Sequence, residues 1–148
     1  MTYEQLKLEN QLCFPVYAAS RLIIRAYQPY LDELGITYPQ YLVLLVLWET
    51  DNLPVNDIAK KLILNTNTIT PLLKRMEQQG LIHRTRSAAD ERKVLVHLSE
   101  NGKELKDKAA LIPEKLAEKL SDDRTSVDEL TQLKNSLTTM VSFLSKQD

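Results

Sequence analysis

Between residues 53 and 98 the chain sets two short amphipathic segments, a tight break and two basic alternating runs end to end, and few folds accept that order. Pro54 opens the first segment, which puts Val55, Ile58, Ala59 and Leu62 on one helical face. Asn65 or Thr66 caps the second, whose inner face is Ile69, Leu72, Leu73 and Met76. Gly80 stands just past its end, where a left-handed residue closes a helix. Residues 81–86 and 94–98 alternate as strands on either side of the polar loop 87–93. The predicted class is therefore mainly α with one small β-hairpin.

Helices flank this module on both sides. Residues 6–34 are helical in pattern and stop before Gly35. Thr37 and Gln40 form a helix-start box with Pro39 in the first turn, and the following YLVLLVLW run is apolar all round, so this helix is expected to be buried. Leu105, Ala109, Ile112, Leu116 and Leu120 repeat at helical spacing, with a kink expected at Pro113. Ser126 and Glu129 make a second box, and behind it Val127, Leu130, Leu133, Leu137, Val141 and Leu144 form a stripe that needs a partner helix. One domain, 1–148, is expected, with helical regions 1–36 and 99–148 around a central 37–98. A two-fold homodimer is the economical way to cover the flanking helices, and a monomeric bundle is the alternative.

Charge is distributed to match. The net charge is only −1, but residues 51–98 hold eight Lys/Arg against five Asp/Glu, while residues 1–50 hold three against five and residues 99–148 eight against ten. Local field, not net charge, attracts phosphate. The chain lacks the run of ~20 apolar residues that spans a bilayer, and its N-terminus lacks the basic-then-apolar pattern of a secretory signal. A single cysteine, Cys13, permits no internal disulfide and fits the reducing cytoplasm. No cofactor is expected, since His83 and His97 have no further ligands at metal-binding spacing and read as strand residues.

Helix, turn, helix and basic hairpin is the layout of a winged helix-turn-helix, which reads double-stranded DNA. Base reading needs short hydrogen-bonding side chains at the start of an exposed helix face. Asn65, Thr66, Asn67, Thr68 and Thr70 cluster there, followed by Pro71, with Lys74 and Arg75 one turn on for phosphates or a guanine edge. The hairpin brings Arg84, Arg86, Asp90 and Arg92; an arginine at its tip suits a narrow minor groove, and Asp90 can hold it extended. A two-fold dimer spaces two such helices about 34 Å apart, which implies a palindromic site.

The whole chain resembles the MarR family of winged-helix regulators, whose wing signature D-x-R stands here as Asp90-Glu91-Arg92. LENQLCFPVYAASR, GITYPQYLVLLVLWE, TPLLKRMEQQGLI and DERKVLVHLSENG are similar to the organic hydroperoxide resistance regulators within it. Thr66-Asn67-Thr68 departs from the usual Ser-Gly-Thr, and Pro15 from the usual leucine. The resemblance implies a dimeric repressor, not an enzyme. Oxidation of its N-terminal cysteine by an organic hydroperoxide would release the operator.

A sensing thiol must be partly thiolate. Cys13 lies two residues before Pro15, a residue favoured in first helical turns, so a helix starting there sets the sulfur at its positive end. All six tyrosines lie within the first 41 residues, and the resemblance implies that Tyr27 and Tyr38 donate to the sulfur; Tyr17 is a further candidate. Cys13 and Tyr27 lie 14 positions apart, about 21 Å along a continuous helix, so a contact between them must cross a dimer or a sharp break. With no second cysteine, the expected product is a sulfenic acid and then a mixed disulfide with a low-molecular-weight thiol. Without the resemblance, a lone cysteine among apolar residues reads as a small buried hydrophobe. The competing readings are a regulator relieved by a small phenolic or carboxylate ligand, a broader thiol-based stress or virulence regulator, and a thiol peroxidase. The last has no resolving cysteine.

Overall fold

The computed structural model describes residues 1–147. Two short 3-10 turns, Glu4–Leu6 and Leu8–Asn10, precede the first helix, α1 (Cys13–Leu34). The helix expected from residue 6 therefore starts at Cys13. Pro15 sits in its first turn, where the missing N–H costs no helical bond. Gly35, at φ 68°, closes it in the left-handed conformation.

Helix α2 (Tyr38–Glu49) begins at the expected box: Thr37 Oγ1 accepts from Gln40 N, and Thr37 N donates to Gln40 Oε1 at 3.1 Å. Its apolar circumference is explained by its place, since Tyr41, Val43, Leu44, Val46 and Leu47 are all buried. Strand β1 (Leu53–Pro54) was not anticipated; two residues carry no period, and only pairing with a distant strand defines them.

Helices α3 (Val55–Leu62) and α4 (Thr66–Gln78) follow, with Asn65 as the cap of α4. Between them Ile63 takes a left-handed φ of 55°, a costly conformation for a β-branched residue. Gly80, at φ 74°, turns the chain out of α4. Strands β2 (Ile82–Arg86) and β3 (Val94–Leu98) pair antiparallel from Ile82↔Leu98 to Arg86↔Val94, and β1 joins the other edge of β3.

Ser99 caps α5 (Glu100–Ala109), and α6 (Ile112–Leu120) follows after a break at residues 110–111. The kink expected at Pro113 is instead a full interruption, with the proline in the first turn of a new helix. Helix α7 (Val127–Leu144) starts at the Ser126–Glu129 box, where Ser126 N donates to Glu129 Oε2 at 2.7 Å.

The core lies between α2, α3, α4 and the sheet, around Leu44, Leu47, Ile58, Ile69, Leu73, Met76, Ile82 and Val96. The flanking helices contribute little to it. Leu31 is the one buried residue of α1 among those described, and α7 has none. No described helix is long and apolar enough to cross a membrane.

Candidate nucleic-acid interface and thiol site

Helix α4 divides cleanly by face. Ile69, Leu72, Leu73 and Met76 are buried, while Thr66, Asn67, Thr68, Thr70, Pro71, Lys74 and Arg75 are exposed. Asn65 is exposed too, but its Oδ1 accepts from Thr68 N at 3.0 Å and from Thr68 Oγ1 at 3.1 Å, so that oxygen holds the cap. Pro71 has no N–H, which leaves the Asn67 carbonyl without its helical donor on the exposed face. The result is a helix start rich in short donors and acceptors, with cations one turn later.

The wing is built by its own charged residues. Ser87 N donates to Lys93 O, and Lys93 N donates to Asp90 O, both at 2.9 Å, closing the loop. At the tip, the Arg92 side chain is 91% exposed, yet its Nε lies 3.1 Å from Asp90 Oδ1. Arg92 N also donates to that oxygen, and the arginine holds the Asp90 carboxyl below the usual aspartate range. The other two arginines are engaged inside the module. Arg86 Nη1 donates to Glu91 O at 2.9 Å. Arg84 N donates to Glu77 Oε2 at 2.8 Å and its Nη2 sits 3.1 Å from Glu77 Oε1, bracing β2 against α4. Those bonds lower the Glu77 pKa. His83 and His97 are register partners with rings 5.4 Å apart, and no group of three metal-type side chains occurs among the described residues.

The thiol belongs to a different surface. Cys13 is the first residue of α1 and is exposed. Leu12, Phe14, Val16 and Tyr17 around it are exposed as well, an apolar collar that its own chain covers only in part. The Tyr17 ring lies 4.9 Å from the Arg21 guanidinium, which orients it along α1.

Three other phenols meet elsewhere. Tyr27 lies 5.1 Å from Tyr38 and 5.8 Å from Tyr41, and Tyr38 lies 6.3 Å from Tyr41, ring centre to ring centre. Tyr41 is an unexpected member of this cluster. Its spacing of three from Tyr38 on one helix was the signal, masked by the all-apolar run it heads. Burial, and then the neighbouring Tyr38 and Tyr41, push the Tyr27 pKa up to about 12. Burial also raises Tyr38 and Tyr41. All three hydroxyls keep their protons at neutral pH and can donate. Within the chain, no hydrogen bond among the described residues joins Cys13 to any of them.

Beside Tyr27 opens an apolar cleft of about 570 Å³, lined by Ile23, Leu116, Leu130, Leu137 and Val141 from α1, α6 and α7. Leu133, Met140, Val141, Phe143 and Leu144 of α7 are exposed nearby, more apolar surface than a lone chain ordinarily shows.

Residues 25–109 match the family model of the transcriptional regulator SarA/Rot. The chain is 49% identical to the organic hydroperoxide resistance transcriptional regulator of Bacillus subtilis, over 99% of this chain and 97% of that one. It belongs to the MarR family, in its organic hydroperoxide resistance branch. Two structures of AbfR, a Staphylococcus epidermidis protein, share its fold. Reduced AbfR bound to DNA gives a TM-score of 0.79 at 38% identity, covering 97% of this chain and 99% of that one. Disulfide-formed AbfR gives 0.65 at 38% identity, covering 97% and 95%. The chain of this MarR-family regulator is thus closer in shape to the reduced, DNA-bound relative than to the disulfide form.

Proposed function

We propose that the chain is a dimeric repressor that grips a palindromic operator and lets go when an organic hydroperoxide oxidises Cys13. One observation carries the reading. The only thiol lies exposed at the start of α1 inside an apolar collar, while the same helix carries Tyr27 into a half-buried cluster of protonated phenols further along. A second subunit, running antiparallel, brings the thiol of one chain to Tyr27 and Tyr38 of the other. The collar of Leu12, Phe14, Val16 and Tyr17 favours alkyl or lipid peroxides over hydrogen peroxide.

In the reaction, the Cys13 thiolate attacks the terminal peroxide oxygen. An S–O bond forms, the O–O bond breaks, and sulfur loses two electrons to the peroxide. The leaving alkoxide takes up a proton and departs as an alcohol. A low-molecular-weight thiol then attacks the sulfenic sulfur, giving a mixed disulfide and water. The chain acts in the cytoplasm as a regulator rather than as a turnover enzyme.

On DNA, Thr66, Asn67, Thr68, Thr70 and Pro71 enter the major groove, with Asn65 holding the helix start in shape. Lys74 and Arg75 meet phosphates, and Arg92, held by Asp90, enters the minor groove. Arg84 and Arg86 serve the wing chiefly as internal braces.

A gel shift with and without cumene hydroperoxide, followed by intact mass, tests this. Reduced protein shifts the duplex, oxidised protein does not, and Cys13→Ser shifts it under both conditions. Release of the Cys13→Ser complex by peroxide would remove Cys13 from the mechanism. The cleft of about 570 Å³ favours a second reading, relief by a small phenolic or carboxylate ligand. That reading requires release under fully reducing conditions.

A further inference from the structure

Gln40 is one of two buried polar side chains among the described residues, 3% exposed. Its amide is used at both ends. Oε1 accepts from Thr37 N at 3.1 Å, inside the first turn of α2. Nε2 donates to Gln79 Oε1 at 2.7 Å, at the residue that caps the C-terminal end of the reading helix α4. Around that bond the two elements stand apart across an open cleft of about 550 Å³, lined by Thr37, Pro39, Leu72, Arg75 and Gln78. The glutamine pair is the side-chain hydrogen bond that spans it.

The opposite end of α2 is fastened. Trp48 Nε1 donates to Gly102 O at 2.9 Å, and Lys106 Nζ donates to Trp48 O at 3.1 Å. A disturbance of α2 therefore moves its first turn more than its last. That first turn carries Tyr38 and Tyr41, which bracket Gln40 in sequence and form the phenol cluster with Tyr27. Because the Gln40 side chain is buried and its Nε2 has Gln79 Oε1 as protein acceptor, breaking that bond costs free energy, so the end of α4 is tied to a shift of the turn. We infer that Gln40, through its hydrogen bond to Gln79, is the positioning residue that passes a displacement of the tyrosine cluster to the end of the reading helix. The inference rests on the reading of Cys13 as the oxidised thiol.

The test uses Gln79→Ala, which removes the exposed partner and leaves the buried capping box whole. The probe is a duplex selected from a random-sequence pool by reduced wild-type protein, and cumene hydroperoxide is the oxidant. Wild type loses affinity on oxidation by about 5- to 150-fold, the usual range for two coupled sites. Gln79→Ala oxidises at Cys13 at the wild-type rate by intact mass, but its affinity changes less than ~3-fold, below that coupling range. Gln79→Glu, whose carboxylate still accepts from Gln40, restores release. A second readout needs no DNA: oxidation alters amide hydrogen exchange at the end of α4 in wild type and in Gln79→Glu, but not in Gln79→Ala. Wild-type release, or a wild-type exchange response, in oxidised Gln79→Ala overturns the inference. A wild-type protein that is oxidised yet keeps its duplex sinks the sensor reading itself and this inference with it.

Discussion

Tyr27 keeps its proton to about pH 12 because burial and two neighbouring phenols disfavour its anion. Absorbance titration of the phenolate should therefore show a late step near that pH, removed by Tyr27→Phe. The folded pKa lies above the unfolded value of 10.0, so this contribution to stability is complete below pH 10 and fades as pH rises toward 12. Glu77 behaves in the opposite sense. Its pKa is lowered by Arg84, so its contribution is complete above the ordinary value of 4.5 and is lost as pH falls through the lower folded value. Glu77→Ala should cost about 1 kcal/mol in urea unfolding at neutral pH, the net of a partly exposed charged pair and one backbone hydrogen bond, and less once the carboxylate is protonated. At this scale the sequence was readable where near neighbours suffice, as for the Asp90–Arg92 pair. The Glu77 brace was not readable, since it joins a helix to a strand across a turn and only folding brings them together.

The second box, with Ser126 and Glu129, and the Asn65 cap were legible because capping is written in three or four adjacent residues. Strand β1 and the interruption before Pro113 were not. The first exists only through its pairing with β3, and the second depends on whether the preceding helix ends before the proline or bends at it. Gly102 shows a similar limit. It lies in α5, where alanine is normally the better helix former, but a Cβ there would collide with the Leu81 carbonyl oxygen. Gly102→Ala should destabilise by about 1–3 kcal/mol, the usual cost of overpacking, because the obstacle is backbone and cannot rotate away. Thermal unfolding of the purified variant checks it.

Across the whole molecule, the apolar surface left open on α1 and α7 links stability to association. The unfolding temperature should rise with protein concentration, and Leu133→Asp should convert a dimer into a less stable monomer by sedimentation equilibrium. The helical stripe announced this in the sequence, but it did not say which surface of which helix would face the partner. One consequence remains for genetics. Cys13 and Tyr27 lie about 21 Å apart along the one helix α1, so the sensing site proposed above would draw on both copies of a dimer. A subunit carrying Cys13→Ser and a subunit carrying Tyr27→Phe are each mute as homodimers. Co-expressed, they should complement, because every mixed pair rebuilds one intact site from the two healthy halves and discards the other.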